Sequence, residues 1–477
     1  MGEEINSSQF CAADYQRFLL RLKQETVTLA GWFEESRLAD VHPVAGFELE
    51  AWLIDSQHHP APVNDRFLEL LNDPLASPEL ASFNFEVNST PQILTGQAFS
   101  RMYDELLQTW RHCQTTASTL GCHLAMIGIL PTVQNDDLQL INMSKMERYR
   151  ALNREVVRMR QGKPLLFDIN GEEHLRVTHQ DVMLESAATS FQIHLQLNQQ
   201  QAVRAYNASQ ILSGPMVALS ANSPYLFGKD LWDETRIPLF EQAVAVGGYD
   251  GAMFGPIRRV TFGTGYARQS LLELFQENLE HYPVLLPVDF GEENAQLRHL
   301  RLHNGTIWRW NRPLLGFDEA GHPHLRIEHR VVPAGPTHID NLANAAFYYG
   351  VVMSLIELET PPETELRFDK VRDNFYTAAR LGLRASQHWL NGGQRPMREL
   401  LTETLLPLAE NGLARLGIGV DERRTWLAVI AGRLQTGQNG AHWQRAWVAR
   451  HGRDMAALTA AYVERQEKGE PVHEWTV

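Results

Sequence analysis

Four segments of the chain alternate apolar and polar residues with a period of two, the mark of a strand whose side chains point to opposite faces. From Phe47 to Leu53, the residues Phe47, Leu49, Ala51 and Leu53 form one face and Glu48 and Glu50 the other. From Phe83 to Asn88 the polar face is Asn84, Glu86 and Asn88. From Phe191 to Leu197 it is Gln192, His194 and Gln196, and from Leu325 to Val331 it is Arg326, Glu328 and Arg330. The pattern predicts strands over 46–54, 82–88, 189–197 and 324–332. Lys, Thr and Ser are the usual residues of a solvated strand face. Here the four polar sets hold Glu, His and Arg and no Lys.

Helical spacing appears elsewhere. Phe10, Tyr15, Phe18, Leu19, Leu22 and Val27 predict an amphipathic helix over 9–37, and Tyr103, Leu106, Leu107, Trp110 and Cys113 another over 96–119. Helices are also predicted over 144–161 and 199–219, the latter ending at the loop Ser220-Ala221-Asn222-Ser223-Pro224-Tyr225. The apolar run from Cys122 to Leu130 reads as a buried strand. Two further strands are predicted over 296–303 and 305–310, joined at Asn304-Gly305, a strong hairpin signal. Past Pro361-Pro362 the character changes to amphipathic helices without a good strand. A boundary near 360 therefore divides a mixed α/β unit, 1–360, from a helical region, 361–477.

Bulk properties narrow the class. The chain has 477 residues, 44% of them hydrophobic, and carries a formal charge of −14. With no basic patch, nucleic acid and anionic membranes are poor partners. No apolar run is long enough to span a bilayer, and the acidic Met1-Gly2-Glu3-Glu4 start does not resemble a signal peptide. The three cysteines, Cys11, Cys113 and Cys122, lack metal-ligand spacing and fit a reducing cytoplasm.

Glu48 and Glu50, two apart on a strand, have Cα atoms about 6.6 Å apart. Carboxylates that close raise each other's pKa unless a cation lies between them, and Mg²⁺ suits such oxygens. The pair also fits a solvated face. Glu86 between two Asn suggests a task other than sheet formation, or a half-exposed edge. His194 is a ligand or a satisfied structural histidine. Glu328 with Arg330 fits metal beside phosphate, or a cross-strand ion pair. Gly263-Thr264-Gly265 lacks the context of a phosphate loop and reads as a turn. His58-His59 and His322-Pro323-His324 lack the spacing of a zinc site. There is no GxSxG elbow and no cysteine in a catalytic setting.

Taken in order, these segments resemble the glutamate–cysteine ligase family, in its branch of bacterial carboxylate–amine ligases. Gly46-Phe47-Glu48-Leu49-Glu50 looks like the family's opening acidic strand, and Glu86-Val87-Asn88-Ser89-Thr90-Pro91 like its second. Gln192-Ile193-His194, the loop Ala218-Leu219-Ser220-Ala221-Asn222-Ser223-Pro224-Tyr225 with Gly228 and Arg236, Gly305-Thr306-Ile307-Trp308, Arg312-Pro313 and Glu328-His329-Arg330 follow as they do there. The helical tail is similar at Asn374, Ala378-Ala379-Arg380 and Gln444-Arg445. The chain departs at Leu130-Pro131-Thr132, where the family often has a Thr-His-Pro-Phe-type segment, and this leaves the acceptor amine open.

The resemblance implies an α+β fold of the glutamine synthetase type. Its curved, mainly antiparallel sheet is a half-barrel with helices on the convex face, followed by an all-helical C-terminal region. It implies an ATP-dependent ligase that phosphorylates a carboxylate, most simply that of glutamate, and joins it to an amine such as cysteine in glutathione biosynthesis. Glu48, Glu50, Glu86, His194 and Glu328 would hold Mg²⁺ (or Mn²⁺). Glu48, Glu328 and Arg330 would act in catalysis, and His194, Arg236, Asn222 and Ser223 would bind the nucleotide or substrate. Such a protein takes small-molecule partners and is expected in the cytoplasm, with a homodimer the expected assembly. Two other classes stay open: a non-catalytic binder of nucleotide or amino acid, and a kinase of related fold acting on a guanidino or amino group.

Overall fold

The computed structural model describes residues 4–5, 8–246, 258–291 and 296–477, and the acidic start at Met1 lies outside them. Its centre is a curled antiparallel sheet of eight strands. These are β1 (Val44–Ile54), β2 (Ala76–Pro78), β3 (Asn84–Asn88), β4 (Gln92–Ile93), β5 (His123–Ala125), β6 (Phe191–Leu197), β7 (Asn311–Phe317) and β8 (Pro323–His329). The order is β7-β8-β6-β1-β3-β2, with β4 and β5 pairing to β1. All four predicted alternating segments are therefore in one sheet.

The alternation has a direct physical outcome. Phe47, Leu49, Ala51, Phe85, Val87, Ile193, Leu195 and Ile327 join one large apolar cluster on one side of the sheet. There they meet the helices α2 (Ala98–Thr119), α3 (Gln199–Ser220) and α4 (His338–Ile356), whose residues belong to the same cluster. α4 also pins the sheet by hydrogen bonds: the Tyr349 hydroxyl donates to the carbonyls of Gly46, at 3.1 Å, and His194, at 2.8 Å. The other face is not solvated. Beyond Glu48 and Glu50 it continues into Trp52 and Ile54, which enter a second apolar cluster with Phe83, Ala125 and Ile127. Both faces of β1 are thus covered, and the carboxylates lie between two cores.

Several predicted elements differ from those observed. The first helix, α1 (Ala12–Glu34), buries Phe18, Leu22, Leu29 and Trp32, while Val27 is 73% exposed on the opposite side. Only His123–Ala125 of the 122–130 run is a strand. No hairpin forms at Asn304-Gly305. Arg298–Gly305 is a helix instead, because Leu300, His303 and Asn304 bury with helical spacing, and Trp308–Arg309 pairs in parallel with Val260–Thr261. A hairpin of Leu165–Asn170 and His174–His179 occupies the connection before β6.

Beyond 360 lie α5 (Phe368–Leu381), α6 (Leu406–Arg415), α7 (Val420–Thr436), α8 (Gly440–His451) and α9 (Met455–Lys468). The region is helical except for one small hairpin, Ser386–His388 with Gln394–Pro396. Both apolar clusters contain residues from either side of 360. We therefore propose the junction as a change of secondary structure within shared cores.

Candidate active site

The register of the sheet places the acidic side chains in two groups. His194 on β6 lies directly opposite Glu328 on β8, and Glu50 on β1 lies opposite Glu86 on β3. Glu48 is paired with Gln192 on one side and Asn88 on the other, between the two groups. Every one of these groups is buried: Glu86 is 0% exposed, Glu328 1% and Glu50 9%. The solvated-face reading fails for Glu48 and Glu50 and the half-exposed-edge reading for Glu86, while Glu328 does form a cross-strand ion pair, with Arg312.

The first group is Glu48, His194 and Glu328, whose ligand atoms lie within 4.8 Å of one another. His194 Nε2 is 3.5 Å from Glu48 Oε1 and 3.8 Å from Glu328 Oε1, and among the described residues it has no hydrogen-bond partner. Burial, opposed by Glu48, pushes the His194 pKa down to about 4, so the ring is neutral at pH 7 and able to ligate a metal. Glu328 is braced. Arg312 grips it with two bonds of 2.9 Å, and Arg330 donates to Oε2 at 3.0 Å. Burial alone raises the Glu328 pKa, but the two guanidinium groups outweigh it and hold the carboxyl well below its usual range. Arg330 also donates to Gln192, which in turn donates to Glu50 at 2.8 Å, linking the two groups.

The second group is Glu50, Glu79 and Glu86, again within 4.8 Å of one another. Here hydrogen bonds come from neutral donors. The Ser190 amide donates to Glu50 at 2.7 Å, and Asn88 and Ser77 donate to Glu86 Oε1 at 3.0 and 3.2 Å. Glu86 Oε2 and Glu79 Oε1 are buried with no hydrogen-bond partner among the described residues. Burial and then Glu48 raise the Glu86 pKa to about 7, and burial followed by Glu86 and Glu50 raises that of Glu79 well above normal. Glu185 stands nearby, raised to about 8 by burial and by Glu50. Buried carboxylates facing one another with free oxygens are a donor set for hard divalent cations.

The ligand-binding candidates of the Asn-Ser-Pro loop lie elsewhere. Asn222 and Ser223 are fully buried, and Arg236 is 3% exposed. The Asn222 amide donates to Glu234 at 2.8 Å, its side chain donates to the Ala334 carbonyl, and Ser223 Oγ accepts from the Arg236 amide. Arg236 donates to Glu234 at 3.1 Å and to the carbonyls of Arg330 and Val331 at 3.0 and 2.7 Å. The polar groups of Asn222 and Ser223 are thus committed to the protein, and Arg236 fastens the backbone of Arg330.

Gly263-Thr264-Gly265 lies in an irregular bend, with the Thr264 hydroxyl donating to Glu277. Among the described residues, neither His58-His59 nor the segment 322–324 belongs to a group with metal-ligand geometry. Sequence reading assigned no role to Glu79, Glu185 or Arg312. Glu79 and Glu185 sit outside regular strands, with no alternation to mark them. In the sequence Arg312 is marked only as part of the Arg312-Pro313 segment, and its role comes from its place opposite Glu328 in the register.

Comparison with known proteins agrees with this architecture. Among solved structures the chain is similar to the glutamate–cysteine ligase of Francisella tularensis in complex with AMP, with a TM-score of 0.53 and 10% identity over 92% of this chain and 96% of that one. A bifunctional glutathione synthetase from Pasteurella multocida aligns at a TM-score of 0.49 and 11% identity, over 93% of this chain and 55% of that one. At these identities the first likeness speaks for the fold alone, and the second carries no weight. No curated protein matches the sequence. The sequence profile of glutamate–cysteine ligase family 2 matches residues 44–470, nearly the whole chain and both acidic groups, so the chain belongs to that family and is a carboxylate–amine ligase of its kind.

Proposed function

We propose that the protein uses ATP and Mg²⁺ to activate the side-chain carboxylate of glutamate and joins it to an amine, with cysteine the first acceptor to test. The observation that carries this reading is the pair of buried acidic groups on one sheet face, with Arg330 bridging them. Glu48, His194 and Glu328 would hold one divalent cation, and Glu50, Glu79 and Glu86 another. Bound there, Mg²⁺ would neutralise phosphate charge and align the reacting oxygens.

The residues divide the work. The carboxylate of the substrate attacks the terminal phosphorus of ATP, giving an acyl phosphate and ADP, and the amine then displaces phosphate. Arg330, charged at any working pH and fixed by Glu328, Gln192 and the Arg236 clamp on its carbonyl, faces the charge that develops on the phosphoryl oxygens. Arg312 holds Glu328 ionised and oriented. No covalent nucleophile is required, since catalysis of this kind is positioning and electrostatics. The family and the AMP complex of its structural relative support nucleotide use. The cytoplasm is the proposed compartment, supported by three cysteines that are free thiols.

The test is release of ADP and inorganic phosphate from Mg-ATP and glutamate, with and without cysteine and a panel of amines, with the product identified by mass spectrometry. Amine-dependent phosphate release with an amide product is the expected result. A phosphorylated amine or guanidine with no free phosphate would turn the reading to a kinase.

A further inference from the structure

The polar face of the sheet does not end at the acidic groups. Beyond Glu48, His194 and Glu328 it continues through Gly46 on β1, Gln196 on β6 and Arg326 on β8, with Gly46 opposite His194 and Gln196 opposite Arg326. None of the three belongs to either acidic group. All three are half-buried, whereas the other end of the face is closed, running from the buried Glu50 and Glu86 to Trp52 and Ile54, which are 0% exposed.

Two features of this open end serve nothing within the protein. The first is an uncommitted cation. Arg312 and Arg330 are both bonded to Glu328, but among the described residues Arg326 makes no hydrogen bond or ion pair, and its Nε is buried without a partner. Arg326 is nevertheless within electrostatic reach of Glu48 and His194. The side-chain amide of Gln196 beside it is likewise without a hydrogen bond among the described residues. The second feature is Gly46. Its backbone is not left-handed, and a Cβ there would meet Ser89 Oγ at 3.5 Å and His194 Cβ at 3.9 Å, both ordinary contacts. Alanine would fit. Glycine weakens a strand, so one that the fold does not require marks a place where another molecule approaches the backbone closely.

We infer that Gly46, Gln196 and Arg326 form the cradle for the two phosphates that leave with ADP. The inference rests on the ligase reading above and adds a diphosphate subsite to it. In-line transfer puts the attacking and leaving oxygens on opposite sides of the phosphorus. Arg330 stands on the side of Glu328 that leads through Gln192 to Glu50, and Arg326 stands on the other side. With the transferred group facing Arg330, the bulky nucleoside diphosphate takes the open end. There the fork of Arg326 matches phosphate oxygens, the Gln196 amide adds a neutral donor, and the missing side chain of Gly46 leaves them room.

The experiment measures calorimetric binding of Mg-ADP, and the KM for glutamate, in the wild type, Arg326→Ala and Gly46→Ala. Arg326→Ala is expected to weaken Mg-ADP about 30-fold, the size of lost hydrogen bonds from a charged group, and to leave the KM for glutamate as in the wild type. Arg326→Lys is expected to restore part of the affinity. Gly46→Ala is expected to weaken Mg-ADP about tenfold through crowding, without lowering the Tm of the nucleotide-free protein. Unchanged Mg-ADP affinity in these variants overturns the proposal. A KM for glutamate that rises while Mg-ADP affinity holds places the substrate's carboxylate here instead and overturns it equally. If Arg326→Ala does not fold, Gly46→Ala decides alone, and a lowered Tm with unchanged affinity makes the glycine structural and refutes the cradle. A wild type that does not bind Mg-ADP refutes nucleotide use itself, and the subsite with it.

Discussion

The two acidic groups of the sheet are built from the same residue types and solve opposite problems. Around Glu328 the protein supplies its own cations: Arg312 and Arg330 lie within 3.0 Å and keep the carboxyl ionised. Around Glu50, Glu79 and Glu86 the hydrogen bonds come from Ser190, Gln192, Asn88 and Ser77, all neutral, and burial drives the carboxyls up. The first is preorganised by the fold. The second would be stable as a fully ionised array only with cations bound. Under the proposed function Arg330 of the first half would direct its guanidinium at phosphate, while the carboxyls of the second would depend more heavily on a bound cation.

The largest test of this contrast is to break the braced half. Arg330→Ala is expected to lower glutamate-dependent ATP turnover about 1000-fold, in the range known for arginines that stabilise a transferring phosphoryl group. Steady-state ADP release measures it, and a loss below tenfold would contradict the role. Next comes the unbraced half. Glu86→Gln is expected to weaken Mn²⁺ binding, followed by electron paramagnetic resonance, on the order of 100-fold, and to remove most of the rise in Tm that Mg²⁺ gives the wild type. Arg312→Leu should leave that rise largely intact, because its partner is in the other half.

The same contrast predicts an unusual pH effect on stability. The folded pKa of Glu86, about 7, lies above its ordinary value of 4.5. A carboxyl raised on folding favours the folded state below its unfolded pKa, and that contribution is lost as pH rises through 7. In chelator, Glu86→Gln is therefore expected to be more stable than the wild type at pH 8 by about 2 kcal/mol, with no gain at pH 4.5. Urea unfolding at the two pH values decides it, and equal effects at both would show that another cation already compensates Glu86. The smallest effect expected is that of Asn88→Ala, which removes one donor to Glu86 and should weaken Mn²⁺ binding about tenfold.

Histidines far from the site behave in the opposite sense. Burial, with Arg111 adding to it, holds His338 at a pKa of about 3. Protonating the unfolded chain then removes stability as pH falls from 6.5 towards 3. Metal-free protein should accordingly be most stable near the middle of these two windows.

Much of this site was legible in the sequence, for a simple reason. Strand side chains alternate strictly, so an apolar face of Phe47, Leu49 and Ala51 forces Glu48 and Glu50 together on the other, and the same holds for Glu86, His194, Glu328 and Arg330. Helical periodicity marked α1 to α3 nearly as well. Alternation failed where burial comes from outside the element. Leu300 and His303 read as part of a strand and form a helix face against α1, and Val27 has no neighbour to cover it.

What only tertiary structure decided is proximity across the chain. Glu79 and Glu185 have no local signal, and they join the site because β2 pairs beside β3 and a short turn precedes β6. Arg312 becomes the brace of Glu328 through strand register, and Arg236 turns towards the backbone of Arg330 through the fold of the Asn-Ser-Pro loop. The sequence determined by itself which chemical groups share a face, because that follows from the geometry of one strand. Which carboxylates are paired with guanidinium groups and which face one another without them depends on strand register and on contacts such as that of Gln192 with Glu50, and only packing brings those together.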